Sequence, residues 1–124
     1  MGESGITCNT RFMAHAFGNE TFNYEFSVPP AMHVQDVQFT FFGGPNEVTT
    51  NLGLAIIPSV ALWLQGYITS FVKTGNPNGG SRPGFPQYGK NSSMLLVGGP
   101  DDRTAKVDEL ASERCGWWQE AYYA

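Results

Sequence analysis

The sequence predicts a mixed α and β fold, and three stretches carry that prediction. Thr21-Phe22-Asn23-Tyr24-Glu25-Phe26 alternates polar and aromatic residues, the period of a half-buried strand. Leu54 to Thr74 is a long apolar run with helical stop signals at its end. Met94-Leu95-Leu96-Val97 is short and apolar and is closed by Gly98-Gly99-Pro100, the pattern of a buried strand.

Each element follows from local chemistry. Cys8 to Phe17 contains neither Gly nor Pro and reads as a short helix, ended by Gly18-Asn19, where Gly takes the left-handed cap. The aromatic strand stops at Val28-Pro29-Pro30, because proline donates no ladder hydrogen bond. A loop bearing His33 comes next, then the aromatic run Phe39, Phe41, Phe42 and the turn Gly43-Gly44-Pro45. Inside the long helix, Pro58 marks a start or a kink. The end of that helix is better marked: Lys73 complements the dipole, Gly75 supplies the cap and Pro77 prevents continuation. From Asn76 to Lys90, Gly, Pro, Asn and Ser with scattered rings predict an irregular surface loop. Asp108 to Tyr123 predicts a last helix with Asp108 as N-cap and Glu109 in its first turn. There is no internal repeat.

A chain of 124 residues and 13.6 kDa is one small domain at most. Lys and Arg number 7 against 11 Asp and Glu, and without a basic cluster there is no surface for nucleic acid. Charged residues are only 15% of the chain, and the 14% aromatic content argues against disorder. The 15 glycines and 8 prolines predict many turns. Gly2-Glu3-Ser4-Gly5 carries an acid and no apolar run, so no secretory signal is read at this start. Val48 to Val72 is uncharged and long enough to cross a bilayer. Its Thr49, Thr50, Asn51, Pro58, Gln65 and Gly66 instead predict a helix buried in a soluble core and no membrane span.

Few residues carry chemistry. Cys8 and Cys115 stand near the two ends and read either as two buried thiols in a reducing compartment or as a disulfide outside it. Asn19-Glu20-Thr21 and Asn91-Ser92-Ser93 are glycosylation sequons, which favour secretion. Gly2-Glu3-Ser4-Gly5-Ile6 falls short of a nucleophile elbow, since Ile6 stands where the motif needs its last glycine and no strand precedes it. His15 sits mid-helix among Met13, Ala14, Ala16 and Phe17 as a structural or surface histidine. His33 occupies a loop between apolar Met32 and Val34, a place where a scaffold can present a general base, although the local sequence by itself favours a plain loop histidine. Cys8, His15, His33 and Cys115 lack the short paired spacings of a zinc module, so no metal site is predicted.

Six segments, in order, resemble the type-B carboxylesterases, the family of cholinesterases and many secreted fungal esterases and lipases. Thr7-Cys8-Asn9-Thr10-Arg11 resembles the cysteine helix that opens the family's C-terminal region, and Tyr24-Glu25-Phe26 the strand before its catalytic-histidine loop. Met32-His33-Val34-Gln35-Asp36-Val37-Gln38-Phe39-Thr40-Phe41-Phe42-Gly43 resembles the histidine stretch and its aromatics. Phe71-Val72-Lys73-Thr74-Gly75-Asn76-Pro77-Asn78 and Phe85-Pro86-Gln87-Tyr88 are similar to two further family segments, and Arg114-Cys115-Gly116-Trp117-Trp118 to the closing cysteine helix. Val34 replaces the glycine that usually follows the histidine.

The resemblance implies the last strands and helices of an α/β-hydrolase fold, incomplete as a stand-alone domain, with residues 1–124 all in that part and no second domain. It implies that His33 is the triad base, that Cys8 pairs with Cys115, and that Asp36 is a supporting acid rather than the triad acid. The family orders its triad serine, acid, histidine along the chain. Only the histidine-bearing part is here, so base without nucleophile and oxyanion donors implies no hydrolysis by this chain alone. The complete domain would act on a small-molecule or lipid ester without a cofactor and would be secreted. A non-catalytic binding module or a truncated remnant is the alternative expectation.

Overall fold

The structure, a computed structural model, describes residues 6–47, 49–109 and 113–120. Its elements are α1 (Cys8–Ala16), β1 (Asn23–Phe26), α2 (Gln35–Thr40), α3 (Pro58–Thr74), β2 (Ser93–Val97), β3 (Ala105–Val107) and α4 (Glu113–Gln119). The strands form one mixed sheet in the order β1-β2-β3, making a small α/β fold. Backbone bonds from Leu96 N to Thr104 O and from Gly98 N to Asp102 O join β2 and β3 as an antiparallel hairpin. A Cβ at Gly98 would collide with the Asp102 carboxylate, which accounts for glycine at that turn.

The chain divides into two compact units. The first comprises Met1–Asn23, Pro86–Met94 and Lys106–Ala124. Within it, Cys8 of α1 and Cys115 of α4 form a disulfide, and both are fully buried. The composition alone leaves that pair open between thiols and a bridge, and the structure has the bridge that the family resemblance implies. Tyr88 Oη donates to Asp108 Oδ2 at 2.8 Å, with both residues buried. Tyr88 N and Gly89 N donate to Thr21 O and Asn19 O, which fixes the 86–92 segment beside the chain leaving α1.

The second unit comprises Tyr24–Phe85 and Leu95–Ala105. Pro58 opens α3, where its fixed φ suits a first helical turn, and Gly75 closes it at φ 72° with its N–H on Phe71 O. Val60, Ala61, Leu64 and Tyr67 recur at helical spacing and are buried together with Val28, Phe39, Leu95 and Val97. Gln65 Nε2 donates to Thr40 O and Phe42 O at 3.1 and 2.8 Å, serving carbonyls at the end of α2 that have no intrahelical partner. Phe26 meets Phe39 edge to face at 5.0 Å, and Tyr67 meets Phe85 in the same way at 5.2 Å.

Several boundaries differ from the sequence expectation. α3 starts at Pro58 rather than Leu54, because Thr50 Oγ1 accepts the Leu54 N–H and Leu54 O accepts the Thr50 N–H, closing a turn before the helix. The strand expected from Thr21 begins at Asn23, and Thr21 O is taken by Tyr88. Neither α2 nor β3 was expected. Asp108 Oδ2 accepts the Tyr88 hydroxyl and α4 is described from Glu113 to Gln119, while the turn that Asp108 was expected to cap lies outside the described residues. Residues 110–112 and 121–123 of the expected last helix, and Gly2-Glu3-Ser4-Gly5, lie outside the described residues. No described helix is long and apolar enough to cross a membrane.

Candidate active site

The chain leaves β1 and turns at buried Val28 into the 29–34 loop, and α2 follows at once. Ala31 and Val34 both take left-handed backbone, with φ of 57° and 64°. His33 stands between them on the exposed side of the loop. Among the described residues its ring has no hydrogen-bond partner, so the imidazole is open to a group approaching from outside the loop.

What holds this loop lies on either side of the histidine. Gln35 is buried, its Oε1 accepting from Met32 N at 3.0 Å and its Nε2 donating to Pro29 O at 3.4 Å. Asp36, in the first turn of α2, accepts a hydrogen bond from Tyr24 Oη of β1 at 2.7 Å. Burial, then that bond and the nearby charge of Asp36, push the Tyr24 hydroxyl far above its ordinary value. One Asp36 oxygen is therefore spent on the strand.

Around the histidine the surface is apolar. Val34, Val37 and Phe41 recur at i, i+3 and i+7 on one face of α2 and its flanks, and all three are exposed, Phe41 at 77%. Gln35 and Phe39 occupy the opposite face and are buried. An exposed imidazole on such a surface can take and return a proton, while no described hydroxyl or thiol is hydrogen-bonded to it.

The other residues singled out by the sequence lie elsewhere. His15 is exposed in the last turn of α1. Asn91 is exposed in a turn before β2, whereas Asn19 is half-buried, with φ 63° and a buried Oδ1 that has no hydrogen-bond partner among the described residues. No described group of three His, Cys, Asp or Glu side chains could hold a metal ion. Sequence reasoning missed Tyr24 and Gln35 as parts of the site. Their partners are a carboxylate twelve residues away and backbone atoms three and six residues away, and neither pairing leaves a periodic trace.

These features define a small α/β segment whose strand-to-helix loop presents an unengaged histidine. No protein-family model matches the chain. It is 37% identical over 117 residues to carboxylesterase patB of Aspergillus clavatus, a match covering 94% of this chain and 20% of that protein. It is 31% identical over 123 residues to carboxylesterase patB of Penicillium expansum, covering 98% of this chain and 20% of the relative. With secreted lipase 4 of Gibberella zeae the identity is 31% over 93 residues, covering 71% of this chain and 15% of the lipase. The chain matches a C-terminal portion of a type-B carboxylesterase. It spans about a fifth of the length of the first two curated relatives.

Proposed function

We propose that residues 1–124 are part of one type-B carboxylesterase domain and that His33 is the general base of its serine-esterase triad. The observation that carries this reading is the exposed, unengaged imidazole of His33 on a loop anchored at both ends, in a chain similar to carboxylesterases over most of its length. A serine hydroxyl is a weak nucleophile until an imidazole at hydrogen-bond distance accepts its proton, and the same imidazole returns that proton to the leaving alcohol. Nucleophile, oxyanion donors and triad acid belong to the portion of such a domain that this chain does not match. The chain alone accordingly supplies a base and no hydrolysis. The substrate class is a carboxylic ester of a small molecule or lipid. The buried disulfide suits an oxidising compartment, and a relative is named a secreted lipase, so secretion is part of the proposal, with Asn19 and Asn91 as candidate glycan acceptors.

The test is ester hydrolysis by the polypeptide that joins this chain to a serine nucleophile. His33→Ala should lower kcat by about 10²–10⁴-fold, the usual worth of a positioned acid–base group. A His33→Ala protein that keeps the parent rate would remove the assignment.

A further inference from the structure

We infer that Gln35 is the positioning residue for His33, an inference that rests on reading His33 as a general base. Gln35 is only 4% exposed. A buried amide is costly unless both of its ends are satisfied, and here both ends are satisfied by the loop itself. Oε1 accepts from Met32 N at 3.0 Å, in the manner of a glutamine reaching back over a helix start. Nε2 donates to Pro29 O at 3.4 Å, and the Gln35 backbone N–H donates to Met32 O at 3.1 Å. The side chain thus straps the incoming limb of the loop to the first turn of α2. His33 and Val34 are pinched outward between the two anchored points.

The strap matters because no hydrogen bond among the described residues fixes the histidine ring itself, so its position is inherited from the backbone. That backbone holds Ala31 and Val34 in left-handed conformations, which residues bearing a Cβ leave readily when unconstrained. Removing the strap lets φ at these positions relax, and His33 moves with them. A base displaced by about 1 Å can lose on the order of 10²-fold in rate.

Gln35→Leu removes both side-chain bonds at similar volume. Gln35→Glu keeps the acceptor for Met32 N and regains a donor for Pro29 O only when its carboxyl is protonated. The experiment measures amide protection of the 27–35 segment, together with kcat and KM for ester hydrolysis, in the polypeptide that joins this chain to a serine nucleophile. We expect Gln35→Leu to lower protection at least tenfold and kcat by about 10–100-fold, with KM within about twofold. Each variant is compared with the parent at the same pH, so that groups common to both cancel. Gln35→Glu should lose protection near pH 8, where the Pro29 bond is gone, and recover as the pH falls and its carboxyl protonates, whereas the ratio for Gln35→Leu stays flat. This pH-dependent recovery gives a reading even where Gln35→Leu fails to fold. Unchanged protection in both variants overturns the strap. Lost protection with kcat unchanged overturns the positioning role and leaves His33 as base. A parent whose hydrolysis is indifferent to His33→Ala overturns the general-base reading itself, and the catalytic role of Gln35 falls with it.

Discussion

Reduction of the Cys8–Cys115 bridge probes how the first compact unit holds its two ends together. The bridge spans a sequence separation of 107 residues, for which the chain-entropy treatment gives about 4–5 kcal/mol of stabilisation at 25 °C. Among the described residues of α4, Cys115 is the buried one, so the bridge ties the helix at its best-covered point. For 124 residues the entropy of unfolding is about 0.26 kcal/mol/K near 60 °C, so the loss corresponds to a fall of roughly 15–20 °C in Tm. Differential scanning calorimetry with and without a phosphine reductant reads this directly, with thiol alkylation and mass spectrometry confirming the redox state. Hydrogen exchange should show α4 losing protection before α3, which lies in the other unit. A Tm that moves by less than about 3 °C after complete reduction would refute the reasoning.

Two further outcomes follow from the same structure. Burial raises the Tyr24, Tyr67 and Tyr88 hydroxyls above the ordinary tyrosine value of 10.0, with Asp36 adding to the rise at Tyr24. The folded chain therefore holds these protons more tightly than the unfolded one. Their stabilisation is complete below about pH 10 and is lost as pH rises above it. Urea midpoints between pH 8 and 11 should fall at the alkaline end, less steeply in Tyr24→Phe, and a flat profile would contradict the assignment. In a secreting host, Asn91→Gln should abolish an endoglycosidase-sensitive mobility shift, since Asn91 lies in an exposed turn. Retention of the whole shift in that variant would move modification to Asn19.

How much was legible depended on whether an element announces itself locally. The end of α3 did so, because Lys73, Gly75 and Pro77 each act within one turn. α2 did not. It has six residues, it buries polar Gln35 beside Phe39, and it turns Val37 outward, so its hydrophobic pattern is inverted relative to its packing. The bond from Tyr88 to Asp108 was not legible either, because its partners lie twenty residues apart. His33 was legible as a loop histidine behind a proline pair. The strap and the tyrosine tether that hold its loop were not, because side-chain bonds to backbone and across elements have no sequence period.

Val34 allows the loop geometry itself to be tested. It follows the candidate base at a position where the resembled family carries glycine, and it sits at φ 64° and ψ 7°. A residue with a Cβ costs about 1–2 kcal/mol there, and a β-branched one lies toward the upper end. Val34 is 55% exposed, so truncation forfeits only the covered part of its side chain, about 1 kcal/mol. Glycine adds an entropy cost of about 0.5–1 kcal/mol, which the relieved strain offsets or exceeds. Val34→Ala forfeits the same contacts and keeps most of the strain. The usual order therefore inverts: Val34→Gly should be at least as stable as Val34→Ala and within about 1 kcal/mol of the parent. Urea denaturation of the three proteins measures this, and a glycine variant about 1 kcal/mol below the alanine variant would show that the left-handed backbone at Val34 is absent. If the order holds while kcat for ester hydrolysis is unchanged, the strain at Val34 does not serve the base. The bonds that Gln35 and Asp36 make to the loop and to β1 persist in both variants, so the backbone keeps its path whether or not Val34 resists it.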